Sequence, residues 1–500
     1  MLQDVDRIGP ELVLMVTAAC IVLVDALLRP PPGSSEDEGP RAWLPVTALA
    51  GLAAAVIYAV VLIQRDREAV VFSGTYSLDV FSIFFKFVFI GVAGMVVLAS
   101  VDYVRKLRYQ GEFWALLLLA TSGMMLLAGA RDLMLIFVAL ELTSISQYAL
   151  AALLRDDRAT EAGLKYILLG AIASAVILYG MAFLFGLSGT TKLVAADGGP
   201  SIASFVAEGD PGTRAGLIAA IVLLAAGFSF KVALVPFQMW VPDVYQGAAT
   251  PVGAFLSVGS KAAGFAVLLR VFYEGFGTES FVGSDWSNLF AAVAAVSMTA
   301  GNVMALLQTN IKRLLGYSSI AQAGNFAIGL AAIAASQDGV VLGASGVAFF
   351  VATYAFTNLG AFFAVIAISQ RTGSDEIEDY AGMGRRAPLL AAVLSFCFVS
   401  LTGIPPTAGF IAKVYIFNAA VQSDLVWLVI VAVLNTVVSA FYYLRVVSHM
   451  YLAPAPEEGD IRPGPWLATA LAVTGVGVLV VGIVPTPLID AAQRAASVFS

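Results

Sequence analysis

The sequence predicts an all-α polytopic membrane protein with about fourteen transmembrane helices. Three observations carry that prediction. Hydrophobic residues make up 60% of the 500 positions and charged residues only 12%, against about 25% charged in a soluble chain. Apolar runs of about 20 residues, enough to cross a hydrocarbon core of about 30 Å, recur along nearly the whole length. Barrel-type alternation is absent from these runs, so helices are left to satisfy the backbone inside lipid.

In chain order, hydropathy and length place the spans near 9–28, 42–63, 78–100, 112–130, 132–154, 162–187, 215–241, 248–272, 286–309, 316–336, 339–370, 388–420, 424–451 and 465–488. The first run follows acidic residues (Asp4, Asp6) and lacks a basic leader and a small-residue cleavage site, so it reads as a retained span. The stretch PPPGSSEDEGP, 30–40, reads as a flexible acidic linker. The runs 339–370 and 388–420 are longer than one crossing needs, which predicts tilt, breakage or extension past the bilayer. Two loops, 188–214 and 371–387, have room for substructure, and no soluble domain fits between the spans.

Basic residues set the orientation. With both termini outside, fourteen of the 27 Lys and Arg fall on inner loops, among them Arg105, Arg158, Arg313 and Arg386. Eight fall outside, among them Arg7, Arg131 and Arg270, and five lysines lie within spans. That bias predicts outward termini. Several function classes drop out. Cys20 and Cys397 sit inside apolar runs, which excludes a disulfide framework and a cysteine-ligated cluster. His449 is the only histidine, too few for a multi-histidine metal or haem site. The net charge of −7 leaves no basic footprint for nucleic acid. GMGRRA, 382–387, imitates a dinucleotide-binding pattern but follows no strand, so it is dismissed.

The charges inside the spans are the informative residues. A charge at the centre of a spanning helix costs about 2.5–3.5 kcal/mol, whereas one near a helix end can reach the interface. Glu141, Lys231, Lys261 and Lys413 are central; Lys86 and Lys165 lie nearer their span entrances, where snorkelling or pairing is as good an account as function. On helical spacing Ser144 and Tyr148 share a face with Glu141, and Ser257 shares one with Lys261. One salt bridge would account for one lysine, yet three central lysines face a single central glutamate. Burial without a counter-charge disfavours an ammonium group, and a lysine that can be neutral or charged can carry a proton.

Prolines sit beside two of these lysines. Pro236 should end or kink its helix just beyond Lys231 and leave a gap for water. Gly403, Pro405 and Pro406 interrupt the span that carries Lys413. Two interrupted spans in corresponding positions of two halves point to inverted repeats around a central ion path.

The run KVALVPFQMWVPDVYQGAATPVGAFLSVGSKAAGFA, followed by KRLLGYSSIAQAGN, resembles the antiporter-like membrane subunits of respiratory complex I, the NADH–quinone oxidoreductases. The resemblance covers essentially the whole chain. VPDVYQGA and FLSVGSKAAGFA are similar to the N-type branch rather than to the L and M branches or the Mrp-type antiporters, which read LPDAHTEAPT there. It implies two inverted five-helix repeats, 112–272 and 286–451, with broken helices in spans 7 and 12 and flanking spans in 1–100 and 465–500 of one membrane domain. It implies proton translocation through Glu141, Lys231, Lys261 and Lys413, with Lys165 a less secure member, and it places Tyr317 in a YSS motif of the tenth span. Gln238 and Gln322 stand where many relatives have histidine, and glutamine cannot titrate. The resemblance also implies that this chain holds no cofactor of its own. NADH, FMN, iron–sulfur clusters and quinone would belong to partner subunits of a hetero-oligomer in a bacterial inner membrane. At this stage an Mrp-type sodium/proton antiporter, a bracing subunit with no ion path, and a membrane arm served by another electron donor remain open.

Overall fold

A computed structural model describes residues 2–28, 41–64, 69–195, 198–334, 341–454 and 461–499. The predicted acidic linker at 30–40 lies outside the described residues. The longer helices are α1 (Gly9–Leu28), α2 (Trp43–Gln64), α3 (Val80–Val104), α4 (Gln110–Gly129), α5 (Leu133–Ala151), α6 (Asp157–Ser188) and α7 (Arg214–Val232). A short helix α8 (Trp240–Gly247) precedes α9 (Thr250–Phe276). There follow α10 (Gly283–Leu306), α11 (Ile311–Ala331), α12 (Leu342–Thr372), α13 (Pro388–Thr402), α14 (Ala408–Gln422), α15 (Val426–Leu452), α16 (Pro465–Ile483) and α17 (Thr486–Ala496).

Twelve helices among the described residues are long and apolar enough to cross a membrane, against the fourteen or so expected. Where the sequence places the other two spans, α11 carries the polar KRLLGYSSIAQAGN stretch, and α13 and α14 are 15 residues each, divided by Gly403–Thr407. The long run 388–420 is therefore broken, while its neighbour is one unbroken 31-residue helix, α12. The two roomier loops do hold substructure: about two helical turns at Ile202–Glu208 in one, Ile377–Tyr380 and Met383–Arg386 in the other.

Burial separates the core from the rim. The α9 span is completely covered and α12 nearly so, whereas α1, α6, α15 and α16 keep large apolar side chains exposed, as lipid-facing helices must. Two stretches of α9, Leu256–Ser260 and Arg270–Phe276, are wound as π-helix, a local widening that re-aims side chains.

Arg270, counted above with the outer loops, proves to be a fully buried residue of α9. Its Nη2 donates to both oxygens of Asp79 (2.6 and 2.7 Å), its Nε to the Ala128 carbonyl (3.0 Å), and its Nη1 to Glu274. Arg131 holds the other oxygen of Glu274 at 2.9 Å. Burial raises the Asp79 carboxyl, but Arg270 outweighs it and holds the group below the usual carboxylate value. Asp79 also caps α3, exchanging hydrogen bonds with Ser82. A short hairpin, β1 (Ala69–Val71) paired antiparallel with β2 (Tyr76–Leu78), leads into this cap. It carries Tyr76, whose hydroxyl donates to Glu11 (2.9 Å); the same carboxylate pairs with Lys86 at 2.7 Å, both side chains wholly buried. Lys86 thus neither snorkels nor joins the central lysines. Burying two charges requires such complete pairing.

Candidate functional site

The two breaks are built alike. At the end of α7 the amides of Ala233 and Leu234 bond back to the carbonyls of Phe230 and Ser229, with Ala233 in the left-handed region at φ 64°. At the end of α13 the amides of Gly403 and Ile404 bond back to Ser400 and Val399, with Gly403 at φ 90°. Both are Schellman closures, in which a left-handed residue lets two amides satisfy the last carbonyls. Gly403 is required for a second reason: a Cβ there would lie 2.8 Å from the Cδ of Lys413. At the first break the indole of Trp240 reaches back to donate to the Phe230 carbonyl at 3.0 Å. Protein groups thus satisfy the last carbonyls before each break.

Lys231, Lys261 and Lys413 are 3%, 2% and 4% exposed, and among the described residues none of them touches a carboxylate. Lys231 Nζ donates to Ser144 Oγ (3.1 Å) and Gln147 Oε1 (3.0 Å). Lys261 Nζ donates to Ser319, through Oγ at 2.6 Å and also to its carbonyl. Lys413 Nζ donates to the Thr402 carbonyl across the break (2.8 Å) and to Thr436 Oγ1 of α15 (3.3 Å). Glu141 makes no ion pair with Lys231; its carboxylate instead accepts from Ser174 of α6 at 2.5 Å. It lies half-buried on a face where Val138 and Ile145 are exposed.

Gln147 and Ser319 join the polar groups into clusters. Gln147 Oε1 accepts from Lys231, from Ser260 (3.0 Å) and from Tyr166 (3.3 Å). Ser260 immediately precedes Lys261. The Ser319 hydroxyl meets Tyr245 (3.4 Å) and Tyr354 (3.3 Å). Tyr354 in turn lines, with Gln322 and Lys413, a small cavity of about 10 Å³, about the size of one water. Gln322 itself donates to the Leu401 carbonyl at 2.9 Å. Two hydrogen-bonded clusters result, one around Gln147 with Lys231 and Ser260, the other around Ser319 with Lys261 and Tyr354, and Tyr354 shares the small cavity with Lys413.

Other singled-out residues fall outside this row. Ser257 donates to the Ala254 carbonyl and accepts from Asn358. In the YSS motif the serines make the contacts, Ser319 with Lys261 and Ser318 with Tyr443, while Tyr317 is half-buried at the core edge. Tyr148 packs edge-on against Tyr166 at 4.7 Å. Lys165 is 44% exposed and pairs with Glu161 and Asp243, both at 2.8 Å. Val235–Pro236 and Pro405–Pro406 are cis. Gln147, Ser174, Ser260, Ser319 and Thr436 were missed. Only Gln147 could have been found by spacing, three residues beyond Ser144 and so beside that serine on α5.

Closely paired buried charges, lysines without a carboxylate partner at two broken helices and a fully covered α9 define an antiporter-like ion-translocating membrane protein. Residues 130–439 match the family described as NADH:quinone oxidoreductase/Mrp antiporter, TM. The chain is 41% identical over 495 residues to the NADH-quinone oxidoreductase subunit N of Dehalococcoides mccartyi, covering 98% of this chain and 99% of that one. It is 44% identical over 462 residues to the same subunit of Moorella thermoacetica, covering 92% and 93%. A chain of respiratory complex I from Thermus thermophilus superposes with a TM-score of 0.79 at 33% identity, covering 97% of this chain and 99% of that one. A chain of the Mrp complex from Dietzia sp. shares the fold at 20% identity (TM-score 0.80; 97% of each chain). The chain belongs to the subunit N family of the NADH–quinone oxidoreductases.

Proposed function

We propose that this chain moves protons across a bacterial inner membrane as a membrane-arm subunit of a NADH–quinone oxidoreductase, along the row Lys231, Lys261 and Lys413. The observation that carries the reading is the contrast between two kinds of buried cation. Lys86 and Arg270 are fully paired with carboxylates, as fixed charges must be. Among the described residues the three central lysines meet only neutral oxygens. Those oxygens can accept from an ammonium group and, where they are hydroxyls, donate to a neutral amine, so either protonation state finds partners.

In this reading a proton from the inner side loads Lys231, whose ammonium is held by Ser144 and Gln147 with the Glu141 charge nearby on α5. Gln147 orders the site without titrating, so transfer onward to Lys261 uses water beside Ser260. Ser319 and Tyr354 lead from Lys261 to the cavity shared with Lys413. Thr436 takes the proton from Lys413 toward the outer half. The segments 112–272 and 286–451 act as the two repeats, each contributing one broken helix. The half-exposed Glu141–Ser174 face belongs against a neighbouring membrane subunit. NADH, FMN, iron–sulfur clusters and quinone are assigned to other subunits, which drive the chain without redox chemistry in it.

Lys261→Met and Lys413→Met should each remove NADH-driven acidification of inverted vesicles by roughly 100-fold or more, the scale of a lost proton-transfer group, in a complex that assembles. Normal pumping by either assembled variant defeats the row as the proton path. Sodium-dependent exchange by the chain alone would redirect the reading to antiport. Both termini are proposed to face outward. Of the eight basic residues counted outside, Arg270 is buried, which strengthens the bias toward inner loops. A reporter fused after Ser500 should be active outside the membrane, and cytoplasmic activity would reverse the orientation.

A further inference from the structure

The inner end of the first half carries an ion cluster that the lysine row does not use. The short helix α8, directly after the first break, has one carboxylate, Asp243. Cations from two other helices share it. Lys165 of α6 holds Oδ2 at 2.8 Å, and Arg313 of α11 holds Oδ1 at 2.7 Å. Each cation has a second partner: Glu161 for Lys165 at 2.8 Å, and Gln246 for Arg313 at 3.0 Å. One bond of the cluster can therefore open without isolating a charge. A cavity of about 270 Å³ opens here, lined by these residues and Arg158.

The same short helix reaches the Lys231 site from its other end. Trp240, one turn before Asp243, lies flat on Tyr166 with ring centres 4.4 Å apart and planes 17° apart. Tyr166 follows Lys165 in the chain, and its hydroxyl donates to Gln147 Oε1, the oxygen that also accepts from Lys231. The cluster and the lysine site are thus joined by adjacent residues of α6 and by one turn of α8.

We propose that Asp243 is a positioning residue for proton uptake, a latch that fastens α8 to α6 and α11 and, through the Trp240–Tyr166 stack, holds Gln147 in place for Lys231. The proposal rests on the reading of Lys231 as a proton carrier. When the latch is closed, Tyr166 is pinned and the Lys231 acceptor is set. When Asp243 loses its cations, α8 loosens, Tyr166 shifts with Trp240, and Lys231 loses one of its two oxygens.

The test uses the assembled complex. Asp243→Asn should speed amide hydrogen exchange across 240–247 about tenfold, the signature of local opening, and cut NADH-driven pumping several-fold while quinone reduction continues. Asp243→Glu should restore most of both. Tyr166→Phe keeps the stack but drops the bond to Gln147. It should lower pumping with exchange in 240–247 unchanged, and its defect should not add to that of Asp243→Asn. Unchanged exchange in Asp243→Asn overturns the latch; faster exchange with normal pumping overturns its link to Lys231. If Asp243→Asn fails to assemble, Lys165→Met and Arg313→Met each remove one bond. Each should speed exchange and lower pumping by less, and no change in either variant overturns the proposal. Lys231→Arg, measured alongside, separates the two ideas. If it blocks pumping while Asp243→Asn is normal, the latch is wrong and the carrier stands. If Lys231→Arg pumps normally, the carrier is wrong, and the exchange data still decide whether α8 is latched.

Discussion

Lys231→Arg is expected to abolish NADH-driven proton pumping, by roughly 100-fold or more, in a complex that assembles normally. Arginine keeps the positive charge but does not release its proton in proteins. A fixed charge would leave function intact, whereas a carrier would not survive the change. The geometry sharpens the test, because among the described residues no carboxylate touches Lys231: its partners are the Ser144 hydroxyl and the Gln147 carbonyl. Size must be separated from charge, since α9 packs close here; a Cβ on Gly264 would lie 3.3 Å from the Cγ of Lys231. Lys231→Met is of similar length, neutral and unable to titrate, and it should fail as completely as arginine. Pumping in a reconstituted complex, normalised to assembled protein, is the measurement. Arginine pumping as well as lysine would make the residue a fixed charge. Pro236→Ala should cost much less, because Ala233 and the two backward amide bonds already end α7 without help from proline.

Lys86→Met should do something different: destabilise the chain by about 3–5 kcal/mol, the cost of leaving one charge of a buried pair alone. Glu11 and Lys86 are both wholly buried and meet at 2.7 Å, so the orphaned carboxylate has no solvent to turn to. Thermal unfolding of the purified complex and the yield of assembled complex would both fall. Adding Glu11→Gln removes the stranded charge while the amide oxygen can still accept from Tyr76, so most of the loss should return. Restored stability together with normal pumping marks the pair as architecture. Restored stability with lost pumping would instead place Lys86 on an ion path. The central lysines predict the opposite pattern, lost transport with little loss of fold, because none of them leaves a paired carboxylate behind.

Much of the site was legible residue by residue. The central position of Lys231, Lys261 and Lys413 follows from counting along each apolar run, and a central charge is costly enough to need a reason. The helix ends just past Lys231 and again before Lys413 as their prolines and glycine suggested. The partners were not legible. Glu141, the single central carboxylate, could have bridged one of the three central lysines, yet it accepts from Ser174 instead. Ser257 shares a helical face with Lys261 by spacing, yet its hydrogen bonds run to Ala254 and Asn358, a partner about a hundred residues away that spacing along one helix does not reveal. Arg270 looked like an outer-loop residue because it closes an apolar run, and is instead enclosed by Asp79, Glu274 and the Ala128 carbonyl.

By itself the sequence determined the class: a chain of spanning helices, two of them interrupted, with more buried lysines than buried carboxylates at mid-span. Those properties are local sums over one segment, of hydropathy, of proline and glycine, and of charge position, and need no knowledge of neighbours. The tertiary structure decided which charges are fixed and which are free to change. That depends on what lies within about 3 Å of each ammonium group, and the atoms concerned come from residues 58 to 87 positions away for Lys261 and Lys231. Side-chain polarity identifies a residue as able to bond, but only the packing of α5, α7, α9 and α11 brings Gln147 and Ser319, rather than a carboxylate, to the lysines.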